Sequence, residues 1–336
     1  AKAVRLGVIP TPAVAYLARK LNADAGVVIS ASHNSFEYNG IKFFNSQGYK
    51  LPDEVEEKIE AVILDGKDGE LAYPVGREVG HCTVMDRALD DYIEFAKGTI
   101  DCDLDGMHIA VDCSNGNYLA APAAMRSLGA QVTVLSDQPN GVNINAGCGS
   151  THLENLCERV RENPDIQVGI AFDGDADRML AVDENGEVVN GDEIMMIAGK
   201  YLKQQGRLKK DTIAATVMSN LGLHEFCRNN GIDLLCTDVG DRNVLEKMLE
   251  RDYRIGGEQS GHTIFTDVET TGDGEVTALQ FLQVLARSGE KASSLVSCCA
   301  VYPQVLVNVE VPHSGGVKEA IMASPALAEA VKREEE

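Results

Sequence analysis

The sequence predicts an α/β protein of three successive units, each with a mixed or mainly parallel sheet, followed by the start of a fourth. Three observations predict this. Short apolar strands alternate with amphipathic helices almost throughout, the pattern of helices layered on largely parallel sheets. The alternation restarts after breaks near residues 100 and 210. The length, 336 residues, allows several units of roughly 100 residues, each with its own core. The expected boundaries are 1–100, 101–209, 210–297 and, for the incomplete fourth, 298–336.

In the first unit "VRLGVI" reads as a strand leading into the helix "PTPAVAYLARKL", with Thr11 as its cap and Pro12 in its first turn. "AGVVIS" and "IKFF" are strands, "LPDEVEEKIEAVI" is a helix with acids in its first turn, and "MDRALDDYIEFAKG" is a second helix. The second unit runs strand "MHIAVDC", helix "YLAAPAAMRSLG", strand "QVTVLS", helix "HLENLCERVREN" and strand "IQVGIAF". "MLAVDENGEVVN" then alternates around Asn185-Gly186, the mark of a tight hairpin, and helix "DEIMMIAGKYLKQQG" closes the unit. The third has strand "DTIAATV", helix "LHEFCRNNG", strand "IDLLCTDV", helix "DRNVLEKMLERD", the stretch "YRIGGEQSGHTIF" and helix "DGEVTALQFLQVLARSG". A strand "PQVLVNVEV" and a helix ending in "KREEE" complete the chain.

A net charge of −22 and a pI near 4.7 argue against nucleic-acid backbones and anionic membranes as partners. An acidic protein that handles phosphorylated compounds needs local basic residues or a metal to offset repulsion. The nine cysteines are scattered and form no CxxC, as expected for reduced thiols in a cytoplasmic protein. No secretory signal and no apolar run long enough to span a bilayer is evident. The chain opens on "AKAVRLGVIP" without methionine, as a fragment or a processed chain would.

Three loops carry chemistry. "VGIAFDGDADRMLAV" places Asp173, Asp175 and Asp177 alternately after a buried-looking strand, where carboxylates at i, i+2 and i+4 can converge on one hard cation. An EF-hand is excluded, because Arg178 stands where that loop needs glycine and strands flank it. Asp173 acting as a nucleophile that forms an aspartyl phosphate stays open on this loop alone. "GGEQSGHTIF" gathers Glu258, Gln259, Ser260 and His262 between glycines, a set suited to a polyhydroxylated ligand. "GVVISASHNSFEYNGIKFF" puts Ser30, Ser32, His33 and Asn34 after a strand, at the end where open α/β sheets bind ligands. A serine nucleophile needs activation, and Lys42, among apolar neighbours that would depress its pKa, could supply it. A metal beside a phosphate-carrying serine is coherent chemistry, since the cation offsets the phosphate's charge.

"SASHN" with "NGIK", "DGDADR" and "GEQSGH" resemble the α-D-phosphohexomutases, and most closely the bacterial phosphoglucosamine mutase subfamily. "GVIPTPAVAYL", "NINAGCGSTH", "TDVGDRNVLEKM" and "TGDGEVTALQ" extend the resemblance over nearly the whole chain, in the family's order. The resemblance implies a four-domain enzyme with a central active-site cleft. Ser32 would be the phosphoserine and, with Asp173, Asp175 and Asp177, would hold one Mg²⁺. Lys42 and His262 would serve acid–base roles. Glu258, Ser260, Gly240, Arg242, Arg178 and His33 would face the substrate. A sugar bisphosphate would be intermediate and activator, and glucosamine 6-phosphate would become glucosamine 1-phosphate, toward UDP-N-acetylglucosamine and peptidoglycan. A small-molecule phosphosugar is the implied partner, and a homodimer is compatible with the family.

Gln259 and the "CGSTH" run favour the amino sugar over the phosphomannomutase/phosphoglucomutase alternative. A metal-dependent sugar phosphatase with Asp173 as nucleophile is the alternative of another class. Two departures stand out. Ser35 replaces the family's usual proline, which would stiffen the serine loop. The family's amino-terminal "GTDGIRG"-like and carboxy-terminal "RPSGTEP"-like segments are not in these 336 residues. The resulting expectation is metal binding and phosphorylation of Ser32 with poor turnover, because phosphoryl transfer depends on positioning and charge.

Overall fold

Residues 1–65, 73–305, 309–311 and 316–335 are described by a computed structural model of the chain. They fall into one unit spanning Ala1–Val301 and a second spanning Tyr302–Glu336.

The first stretch comprises β1 (Lys2–Arg5), α1 (Thr11–Lys20), β2 (Ala25–Ser30), β3 (Gly40–Asn45), α2 (Asp53–Ile63), β4 (His81–Val84) and α3 (Ala88–Lys97). β1 and β4 pair in parallel, while β2 and β3 form an antiparallel hairpin in register from Ala25↔Asn45 to Ser30↔Gly40. α1 places Val14 and Ala15 against Val28 and Phe44 of that hairpin, and its Tyr16 ring stacks on Phe95 of α3. One expectation is corrected here. Pro10, not Thr11, holds the cap position of α1 and makes no side-chain cap. The Thr11 hydroxyl is used elsewhere, donating to Asp175 Oδ2 at 2.5 Å.

The next stretch contributes β5 (His108–Asp112), α4 (Ala120–Ser127), β6 (Gln131–Leu135), α5 (Glu154–Glu162), β7 (Val168–Phe172), β8 (Met179–Val182), β9 (Val188–Val189) and α6 (Gly191–Gln204). The sheet order is β6-β5-β7-β8-β9, parallel across the first three strands and antiparallel thereafter. β5 and β7 are buried along their whole length, as continuous apolar runs are when both faces of a strand are covered. The hairpin expected at Asn185-Gly186 forms: Asp183 Oδ1 accepts from the Asn185 and Glu187 amides, and Gly186 takes φ +79°. α6 starts with a reciprocal capping box between Asn190 and Glu193.

The last stretch of this unit adds β10 (Thr212–Thr216), α7 (Leu221–Asn229), β11 (Asp233–Thr237), α8 (Asp241–Arg251), β12 (Ile255–Gly257), β13 (Thr263–Phe265), α9 (Gly274–Ser288) and α10 (Ala292–Val296). The sheet order is β11-β10-β12-β13, with only β13 antiparallel. Two helices tie this sheet to the preceding one. α6 turns Ile194 and Ile197 to one core and Met195, Met196, Ala198 and Leu202 to the other. α9 sends Leu279, Phe281, Leu282 and Leu285 into the core beneath β5 and β7. All nine cysteines are free thiols.

In the second unit α11 (Val317–Met322) and α12 (Pro325–Glu335) are helical, the latter being the helix expected to end in "KREEE". The strand expected over residues 303–311 is not formed by 303–305 or 309–311, and 306–308 lie outside the described residues.

Candidate active site

Each of the three loops joins a strand to its antiparallel neighbour. The serine loop links β2 to β3, the aspartate loop β7 to β8, and the "GEQSGH" loop β12 to β13. The same local topology, repeated in three sheets, delivers three loops to one cleft of about 660 Å³. Ser32, His33, Lys42, Asp177, Arg178, Gly240, Glu258, Ser260 and His262 line it.

Backbone bonds stitch the loops together. Gly174 N donates to Ser32 O at 3.1 Å, Met179 N to Gly261 O at 3.0 Å, and Gly191 N to Gln259 O at 3.0 Å. Gly116 and Gly174 lie so close that a Cβ on Gly116 would stand 2.0 Å from Gly174 O. Side-chain-free backbone is required there.

Asp173, Asp175 and Asp177 are buried, with one carboxylate oxygen of each lying within 4.8 Å of the other two. Thr11 donates to Asp175, and the Arg178 amide donates to Asp173 Oδ1 at 3.1 Å. Asp175 Oδ1 and Asp177 Oδ1 are buried without a hydrogen-bond partner. Burial and the charges of Asp177 and Asp175 push the Asp173 carboxyl well above the usual carboxylate range. Burial opposes ionisation of Asp177 as well, but His262, Lys42 and Lys50 outweigh it and hold that carboxyl low. Three convergent carboxylates with orphaned oxygens are a donor set for a hard divalent cation, and Mg²⁺ fits it.

The nucleophile candidate stands at the edge of this set. Ser32 Oγ lies 3.5 Å from Asp173 Oδ2, 3.4 Å from His33 Nδ1 and 3.4 Å from Lys42 Nζ. Lys42 Nζ also reaches Asp175 Oδ2 at 2.6 Å and Asp177 Oδ2 at 2.9 Å. This corrects the expected depression of the Lys42 pKa. Burial does act in that direction, but Asp177 and Asp175 outweigh it and shift the group upward. Lys42 is therefore held as a cation. Burial, helped by the charges of Arg178 and Lys42, lowers the His33 pKa and favours the neutral ring.

On the opposite side, Glu258 Oε1 accepts from Gly240 N at 3.2 Å, and Ser260 Oγ donates to Glu258 Oε2 at 3.4 Å. His262 lies with Nδ1 3.7 Å from Asp177 and Nε2 3.4 Å from Asp241. Its ring packs on Gly272, where a Cβ would stand 2.3 Å from Nε2. Arg242 is set apart from the others. It pairs with Asp53 and Glu56 and donates to Leu51 O, beside an adjoining cavity of about 500 Å³.

Sequence reasoning missed four residues. Lys50 and Asp241 form an ion pair, and Lys50 lines both cavities. Asp241 sits next to a residue already singled out, so its neighbourhood was a signal. Lys50 is delivered by a single bridge to Phe44, for which no local pattern exists. Thr11 and Asn145 reach the site only through tertiary contacts.

A serine hydroxyl, a lysine cation and a buried triple carboxylate facing polar groups for sugar hydroxyls define a phosphotransferase of the sugar-phosphate kind. Residues 1–70, 90–186 and 190–302 match the phosphoglucomutase/phosphomannomutase alpha/beta/alpha domains I, II and III, respectively. The chain is 56% identical over 314 residues to a phosphoglucosamine mutase of Ruminiclostridium cellulolyticum, covering 93% of this chain and 70% of that one. It is 52% identical over 336 residues to a phosphoglucosamine mutase of Clostridium tetani, covering 100% and 74% respectively. Among solved structures it is similar to a phosphoglucomutase/phosphomannomutase family protein from Burkholderia thailandensis, with a TM-score of 0.75 and 25% identity over 89% of this chain and 65% of that one. The fold is shared as well with Aspergillus fumigatus N-acetylphosphoglucosamine mutase, solved with GlcNAc-6P and magnesium, at TM-score 0.66 and 18% identity, over 90% and 78% of the two chains. The chain belongs to the phosphoglucomutase/phosphomannomutase family of phosphohexomutases.

Proposed function

We propose that the chain acts as a phosphoglucosamine mutase, interconverting glucosamine 6-phosphate and glucosamine 1-phosphate through a phosphate carried on Ser32. The observation that carries this reading is the position of Ser32 Oγ, open to the cleft and within 3.5 Å of both Asp173 and Lys42. Asp173 is a poor nucleophile by contrast. It is buried, and one oxygen accepts the Arg178 amide. This argues against the phosphatase alternative.

Ser32 passes its phosphoryl group to a sugar hydroxyl, and the bisphosphorylated sugar reorients before returning the other phosphoryl group to Ser32. Lys42, held as a cation, stabilises Oγ and donates a proton to it as the phosphorus–oxygen bond breaks. His262, held between Asp177 and Asp241, takes the proton of the attacking hydroxyl. Glu258 and Ser260 orient the sugar through its hydroxyls, with Gly240 fixing Glu258. Arg178 and His33 face the transferred phosphoryl group, and Arg242 meets substrate only after leaving Asp53 and Glu56. A divalent ion held by Asp173, Asp175, Asp177 and the Ser32 phosphate would neutralise charge and polarise the phosphoryl oxygens. A sugar bisphosphate primes Ser32.

The relatives' names and Gln259 support the amino sugar over glucose or mannose. A coupled assay on glucosamine, glucose and mannose 6-phosphates, primed with a sugar bisphosphate, tests this. The expected result is a clear preference for glucosamine 6-phosphate, and equal rates on the three sugars would remove it.

A further inference from the structure

Ser32 has φ +53°, a left-handed backbone that serine seldom adopts unless its surroundings impose it. The contacts that impose it converge on the peptide groups around Ser32. Ser32 N donates to Ser30 Oγ at 3.0 Å, and Gly174 N donates to Ser32 O. Asn34 N donates to Ala31 O at 2.9 Å, and two further contacts come from Asn145, in the "NINAGCGSTH" stretch. Its Nδ2 donates to Ser32 O and to Asn34 O, each at 2.7 Å.

Both acceptors are carbonyl oxygens, so the amide must present its NH₂ to them, and both of its N–H groups are consumed. Asn145 is itself fixed. It is only 7% exposed, and its backbone amide donates to Ser114 O at 2.9 Å. The Ser114 hydroxyl in turn donates to the carbonyl of Phe172, the residue before Asp173. The serine loop is thus tied through Asn145 and Ser114 to the strand end that carries the carboxylates.

We infer that Asn145 is a positioning residue for phosphoryl transfer, clamping the Ser32–Asn34 backbone so that Oγ is held at the edge of the Asp173, Asp175 and Asp177 set. The inference rests on the phosphoserine reading and adds the device that fixes the carrier. Asn145 does not line the cleft, so it acts through the loop. Transfer is sensitive to such placement, because a 1 Å displacement can cost about a hundredfold in rate.

The test uses Asn145→Asp, which keeps the shape but turns an acceptor toward two carbonyls, with Asn145→Ala as the second variant. Three quantities are measured on the full chain: hydrogen exchange of peptides covering residues 30–39, Mn²⁺ affinity, and the initial rate of Ser32 phosphorylation by glucose 1,6-bisphosphate. In both variants the clamp predicts exchange at residues 30–39 at least tenfold faster and Ser32 phosphorylation at least tenfold slower. Mn²⁺ affinity should stay within twofold, and protection in β5 and β7 should be unchanged. Unaltered exchange at residues 30–39 would overturn the clamp whatever the rates. Loss of Mn²⁺ binding together with β5 and β7 protection would overturn it too, by showing a general structural role. A wild-type chain that gains no phosphate at Ser32, with exchange still accelerated in the variants, would instead sink the phosphoserine reading and with it the clamp's catalytic meaning.

Discussion

Lys42 shows how far the charge balance of this cleft departs from what its neighbours in sequence suggest. Apolar flanks in "GIKFF" point to a lysine with a depressed pKa, yet its ammonium lies between Asp175 and Asp177, and their attraction exceeds the cost of burial. Ser35 shows the converse. It replaces a stiffening proline, but its backbone already sits at φ −71° and ψ 162°, within proline's range. Its carbonyl accepts from Tyr38 N, and no hydrogen bond from its own amide is formed among the described residues. Ser35→Pro should therefore be accommodated and should stabilise the chain by roughly 0.4–1 kcal/mol through the unfolded state. A rise in the urea midpoint at unchanged m-value checks this, and a fall would mean that the loop relies on the serine.

At the scale of elements, the aspartate loop depends on backbone that no side chain may enter. Gly116, in the loop after β5, abuts Gly174, so Gly116→Ala must push the aspartate loop away without touching a carboxylate. Divalent-cation affinity should fall by roughly 10- to 100-fold, the usual range for supports behind a metal site. Titration with Mn²⁺ measures it, and unchanged affinity would show that the carboxylates hold their places without this contact. Such contacts divide what the sequence reveals from what it hides. The strands of "AGVVIS", "IKFF" and "IQVGIAF" and the three polar loops are legible because period, glycine and polar clusters are local signals, whereas the antiparallel pairings β2–β3, β7–β8 and β12–β13 are not. Thr11 reads as a helix cap for the same reason, since a threonine before a helix usually caps it. Its bond to Asp175 spans 164 residues and leaves no local trace. Lys50 and Asn145 escape sequence reasoning on the same ground, whereas Asp241 adjoins Gly240 and Arg242, both already singled out. The pairing of Arg242 with Asp53 and Glu56 is equally non-local.

At the scale of the unit spanning Ala1–Val301, one cleft draws on three sheets, so cation binding is coupled to the packing of all three. The carboxylates repel one another without a counterion, and Lys42 offsets only part of that charge. Added Mg²⁺ or Mn²⁺ should therefore raise the thermal midpoint. The stabilisation is about 2.7 kcal/mol when the free ion stands at a hundred times its dissociation constant. Chelation should reverse it, and Asp175→Asn or Asp177→Asn should abolish it; a midpoint indifferent to the ion would argue against a cation site. The central claim, that Ser32 carries the phosphate, is tested most directly by incubating the chain with glucose 1,6-bisphosphate and Mg²⁺, quenching in acid and mapping the phosphopeptides. One acid-stable phosphate on Ser32, absent from Ser32→Ala, is the expected result. A hydroxylamine-labile phosphate on Asp173, or full labelling of Ser32→Ala, would contradict it.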